Sequence, residues 1–217
     1  LKAFANYGFP EAHSASFALL AYTSSYLKCY FPEAFYTSLL NSQPMGFYSV
    51  HALIQNARRE KIRFLPPDIN YSEWDCSLEL IEEGSRPHYA IRLGFRLIKS
   101  LSQQAVEELL AKRMVRGIWA QLQDFLQDAE GCNRRDLGAL AAADVFRNFA
   151  LERRQAIWLM ESMPLAPLLD EERAYSFDRE TEMQRLERDF ASFATTLGQH
   201  PAVLLKRDAW GYSLPVK

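Results

Sequence analysis

Residues 91–113 read IRLGFRLIKSLSQQAVEELLAKR: a short apolar helix, the four-residue turn KSLS, and then a second, amphipathic helix. This is the layout of a helix-hairpin-helix. In such a unit the N–H groups of the turn and the positive end of the second helix face outward and hold a DNA phosphate without reading base sequence. Ser102 is the expected cap of the second helix, and Lys99 adds a positive charge beside the turn. The assigned contact stretch is therefore Lys99, Ser100, Leu101, Ser102 and Gln103. A second reading stays open, because any two packed antiparallel helices need a turn between them.

Downstream, NRRDLGALAAADVF places Arg134 and Arg135 ahead of another apolar helix, where they would lie beside phosphates near a helix N-terminus. Exposed arginines are also common without such a role. Two hairpin units side by side would straddle a nucleic-acid backbone. Charge is distributed in keeping with this. Residues 92–154 hold eleven Lys/Arg against eight Asp/Glu, a net of +3, whereas residues 161–189 hold four against nine, a net of −5.

Upstream, residues 14–31 carry apolar side chains at helical spacing (Phe17, Leu20, Tyr22, Tyr26, Leu27, Tyr30), which predicts a helix capped by Ser14 with a wide buried stripe. Pro32 suits the first turn of a second helix, NSQPMGFYS breaks the pattern, and Ser49 starts a third helix. FLPPDINYS must be extended, since paired prolines cannot continue a helix, and CSLELIEEGSRPHYAI reads as a small β-hairpin. Beyond residue 93 the expected helices span 102–113, 118–129, 134–143, 152–162 and about 178–195; LPVK at the end reads as the start of a strand. Both ends of the chain are expected to be truncated.

The 217 residues are 48% hydrophobic and 13% aromatic, enough for one large core or two small ones. No apolar run reaches the roughly 18 residues of a membrane helix, so a soluble, cytoplasmic protein is expected. Cys29, Cys76 and Cys132 are odd in number and far apart, which fits reduced thiols better than a disulfide frame. His13, His51, His88 and His200 stand in no zinc-like spacing with them. The clustered carboxylates that polymerases and nucleases need for two Mg²⁺ are not visible, and neither is a phosphate-binding Gly-rich loop or a nucleophile elbow. The chemistry of the whole protein is expected elsewhere.

Three separated motifs, FANYGFPEAHSASFALLAYTSSYLKCYFPEAF, LPPDIN and RLGFRLIKSLS, resemble in order and spacing the alpha subunit of bacterial C-family DNA polymerases. NSQPMGFYS resembles the error-prone branch used in damage-induced mutagenesis more than the main replicase, which is the alternative. The resemblance implies a mainly α chain. Residues 1–90 would be the back of a helical fingers domain with a small β-hairpin, 91–163 a tandem helix-hairpin-helix domain, and 164–217 an acidic helical linker to an oligonucleotide-binding barrel.

It further implies DNA-templated nucleotide addition by the full protein, with Mg²⁺ held by carboxylates outside this stretch, and primer-template DNA as the partner. In the family the YGF…SH turn faces the incoming nucleotide, which implies nucleotide contacts at Tyr7, His13 and Ser14.

Departures from the family pattern imply weaker DNA binding. Pro10 and Glu11 stand where Asn-Lys is usual; Ser100 and Ser102 replace both glycines of a Gly-x-Gly turn; Asp144 replaces a small residue. PLAPLLDEERAYSF lacks the Gln of a clamp-binding peptide, so accessory mutagenesis proteins are the expected route to the sliding clamp. A rival expectation is a degenerate hairpin scaffold that binds those proteins rather than DNA.

Overall fold

The structure, a computed structural model, describes residues 11–82, 88–162 and 177–210. It is mainly α with a small three-stranded sheet. Helix α1 (Glu11–Tyr30) gives way at Phe31 to α2 (Pro32–Asn41), where Pro32 occupies the first turn and needs no N–H partner. Helix α3 (Val50–Arg59) is capped by Ser49, whose hydroxyl accepts from the Ala52 N–H at 3.2 Å.

Tyr36 and Leu40 of α2 pack on Leu53, Ile54 and Ala57 of α3, with Ile62, Cys76, Ile91 and Leu93 completing this first core. Its sheet has the order β1 (Arg63–Leu65), β3 (His88–Arg92), β2 (Ser77–Glu82). The expected hairpin is β2 against β3, antiparallel; β1, whose Phe64 and Leu65 were read only as part of an extended stretch, pairs with β3 in parallel.

The stripe predicted to be buried on α1 is not. Phe17, Leu20, Tyr22 and Tyr30 are 58–71% exposed. Helical spacing shows that such residues share a face, but burial needs a second surface, and among the described residues α1 packs mainly on α2. Ser14 is likewise not a cap, because α1 is under way from Glu11.

The second core begins where β3 ends. The predicted short helix from Ile91 is instead the end of β3 followed by a single 3₁₀ turn, Phe95–Leu97. Helices α4 (Gln103–Arg116), α5 (Leu122–Asp128), α6 (Arg134–Ala142) and α7 (Arg153–Ser162) follow, and α8 (Glu182–Phe193) and α9 (Pro201–Trp210) close the described chain. Trp119, Phe125 and Phe146 meet at the centre with ring centroids 5.4 and 5.0 Å apart. Each such side chain contributes about 1.5–3 kcal/mol by burial. Phe193 of α8 enters the same core, so the helix in the stretch read as a linker packs against the hairpins.

LPPDIN joins the two cores. It is non-helical, as its prolines require. The Ile69 N–H donates to the Val145 carbonyl at 3.0 Å, and Asn70 binds the backbone of Trp119. Arg113 donates to the carbonyls of Ile69 and Ser72. Among the described residues no helix is long and apolar enough to cross a membrane. The expected strand at LPVK and most of the stretch without a clamp motif lie outside the described residues.

Candidate nucleic-acid interface

The first hairpin is set by Gly94. Its Cα lies so close to the loop before β2 that a Cβ would sit 2.3 Å from the Asp75 carbonyl carbon. This approach lets the Phe95 and Arg96 N–H groups donate to the carbonyls of Glu73 and Trp74. From there the chain turns through Ile98 to Leu101 into α4. Ser100 takes a left-handed conformation, φ 65°, whereas Ser102 is extended at φ −77° and caps α4, accepting from the Ala105 N–H. The expected Cβ penalty thus falls on Ser100 alone. Ser100, Ser102 and Gln103 are exposed and Leu101 is half-buried. Among the described residues the N–H groups of Ser100, Leu101 and Gln103 have no acceptor, while that of Ser102 donates to Asp136 Oδ1 at 2.9 Å.

In the second hairpin α5 turns through residues 129–133 into α6. Asn133 caps α6 by accepting from the Asp136 N–H at 2.8 Å, and its Nδ2 donates back to Asp136 Oδ2 at 2.7 Å. Arg134 and Arg135 are exposed on the first turn of α6. Asp136 is only 2% exposed. Its carboxylate thus joins the starts of α4 and α6, which brings the two sequence-predicted turns together. The sequence reading missed Asp136: an Asn with an Asp three residues on signals a local cap, and nothing local points to Ser102.

Lys99 is fixed in a way its spacing did not suggest. Its N–H donates to the Ser192 carbonyl at 2.8 Å and its ammonium to the Phe190 carbonyl at 2.9 Å, capping the end of α8. Ser192 Oγ donates to the Ala142 carbonyl at 3.0 Å, so one α8 residue ties both hairpins. Asp144 is left-handed, φ 60°, and its carboxylate pairs with Arg147 at 2.5 Å; Arg153 lies 3.6 Å away and pairs with Asp189 at 2.6 Å. At the far end of α4, the Arg116 guanidinium and then the Trp119 indole hold the Asp128 carboxyl below its usual range.

Two of the three nucleotide-contact candidates fall within the described residues. His13 and Ser14 are exposed on α1, His13 edge-on to Phe17 with centroids 4.4 Å apart; Tyr7 lies outside the described residues. Among the described residues no cluster of three or more His, Cys, Asp or Glu could hold a metal ion.

One turn entered from a 3₁₀ segment and one between two α-helices, with the helices that follow them starting side by side, have the layout of the helix-hairpin-helix class, and residues 61–156 match the helix-hairpin-helix motif family. The chain is 45% identical over 214 residues to the error-prone DNA polymerase of Bordetella bronchiseptica, a match that covers 95% of this chain and 20% of that one. It is 41% identical over 213 residues to the error-prone DNA polymerase of Pseudomonas syringae pv. tomato and 42% identical over 207 residues to that of Vibrio campbellii, again over 20% of each. The chain therefore spans about a fifth of the length of the curated relatives it matches, and over 95% of its own length it is similar to error-prone DNA polymerases.

Proposed function

We propose that this stretch is the DNA-gripping module of an error-prone, DNA-directed DNA polymerase acting in damage-induced translesion synthesis in the cytoplasm. It holds primer-template duplex by its sugar-phosphate backbone. The observation that carries this reading is the juxtaposition of two exposed helix starts, one offering the N–H groups of Ser100, Leu101 and Gln103, the other presenting Arg134 and Arg135. Nucleotide addition, with its Mg²⁺, belongs to parts of the polymerase beyond this stretch, and His13, Ser14 and Tyr7 approach the incoming nucleotide. Clamp contact runs through accessory mutagenesis proteins.

The test is a titration of labelled primer-template with this chain at several salt concentrations. A phosphate-contact module gives affinity falling with salt at a log–log slope of about −2 to −3, close to one unit per phosphate. Replacing Arg134 and Arg135 with Ala weakens binding about equally across sequences and flattens the slope by about one to two units. A second reading, a scaffold for accessory proteins, is favoured by one observation: the Lys99 ammonium and the Ser102 N–H already have protein partners. Negligible binding at low salt would support the scaffold and reject the module.

A further inference from the structure

We infer that Asp136 is the positioning residue of the DNA interface: one buried carboxylate sets the register between the two hairpins. This inference rests on the reading above. Asp136 Oδ1 accepts from the Ser102 N–H at 2.9 Å and Oδ2 accepts from Asn133 Nδ2 at 2.7 Å, so each oxygen is committed to the start of a different helix. At 2% exposure the group is withdrawn from the surface the phosphates would occupy.

A carboxylate bonded to N–H groups at a helix start is held strongly, because the bonds are charge-assisted and the helix end is positive. Successive phosphates on one strand have a fixed spacing, so two turns grip the same strand only when their separation is fixed too. Helix packing alone leaves some freedom; a bridge of two short bonds removes it. The cost is a negative charge close to an anion site.

That cost gives the test its sign. Electrostatics alone predicts that removing an acid beside phosphates tightens DNA binding. Positioning predicts the opposite. For D136A, with folding verified by circular dichroism, binding to primer-template is expected to weaken roughly tenfold at low salt, with a slope flatter by about one unit as one turn loses its phosphate. The exchanged pair N133D/D136N keeps net charge and can rebuild the bridge. The amide now at position 136 offers its oxygen to the Ser102 N–H and its nitrogen to the carboxylate now at position 133. This pair should recover the wild-type affinity and slope to within about twofold.

Binding by D136A that equals or exceeds the wild type, or an exchanged pair no better than D136A, overturns the inference while leaving the module intact. A wild-type chain without salt-dependent binding overturns both. Should D136A fail to fold, D136N, which sets two amide nitrogens against each other, is compared with the exchanged pair; equal binding by these two rejects the bridge.

Discussion

Asn70 and Trp119 hold one another by two hydrogen bonds: Asn70 Nδ2 donates to the Trp119 carbonyl at 2.9 Å, and the Trp119 N–H donates to Asn70 Oδ1 at 2.9 Å. Both residues are buried, so no solvent replaces a lost partner. Asn70→Ala leaves one N–H and one C=O unsatisfied, a loss of about 2–4 kcal/mol. Urea unfolding should show a lower midpoint with an unchanged slope; a loss below about 1 kcal/mol would mean the clasp is not what joins LPPDIN to the hairpins.

Gly94 has an ordinary φ of −83°, so its requirement is space. A Cβ there would lie 2.3–2.5 Å from backbone atoms of Trp74, Asp75 and Cys76, none of which can swing aside. Gly94→Ala is expected to cost about 3 kcal/mol or more. A melting temperature within a degree of the wild type would contradict the close approach.

Ser100 stands at φ 65°, where a Cβ meets its own backbone. Ser100→Gly removes a strain of about 1–2 kcal/mol, offset by about 0.5–1 kcal/mol of extra freedom in the unfolded chain. A net gain in stability of up to about 1.5 kcal/mol, with tighter DNA binding, is expected. Looser binding would show that the Ser100 hydroxyl itself makes a contact.

His51 Nδ1 lies 3.1 Å from Thr195 Oγ1, with the rings of Phe190 and His200 at 5.2 and 6.2 Å. Burial, and then the neighbouring His200, hold its pKa below the usual 6.5. The folded state therefore favours neutral imidazole while the unfolded chain takes up a proton first. The stabilisation is complete above about pH 6.5 and is lost as pH falls through the lower folded-state value. Stability measured from pH 7.5 to 5 should decline, and His51→Gln should make the decline shallower. An identical pH profile for the variant would remove His51 as the cause.

The three thiols should separate by rate. Burial pushes Cys76 up to about 11, and its sulfur accepts from the Gly94 N–H at 3.4 Å. Cys132 is raised by burial as well, while Cys29 is exposed on α1. Only the thiolate is alkylated. With iodoacetamide at pH 8 followed by peptide mass spectrometry, Cys29 should react first, Cys132 more slowly, and Cys76 only when the chain unfolds. Early labelling of Cys76 would place it outside the core.

What the sequence by itself determined is local. Ser49, Ser102 and Asn133 begin helices because a short side-chain oxygen can reach an N–H two or three residues ahead, and Pro32 and Pro66–Pro67 act on their own backbone. The starts of the two hairpins' second helices were legible for that reason, whereas the helix expected before the first turn is a strand end and a 3₁₀ turn. Tertiary structure alone decided which of these parts meet. The parallel pairing of β1 joins residues 27 positions apart, and the Asp136–Ser102 bond spans 34 positions. The Lys99 ammonium reaches a carbonyl 91 residues on. Contacts of that span leave no periodicity, since their strength depends on where distant surfaces come to rest. The exposed face of α1 makes the same point from the other side: its spacing announced a helix, and only the presence or absence of a packed neighbour could decide whether that helix would be covered.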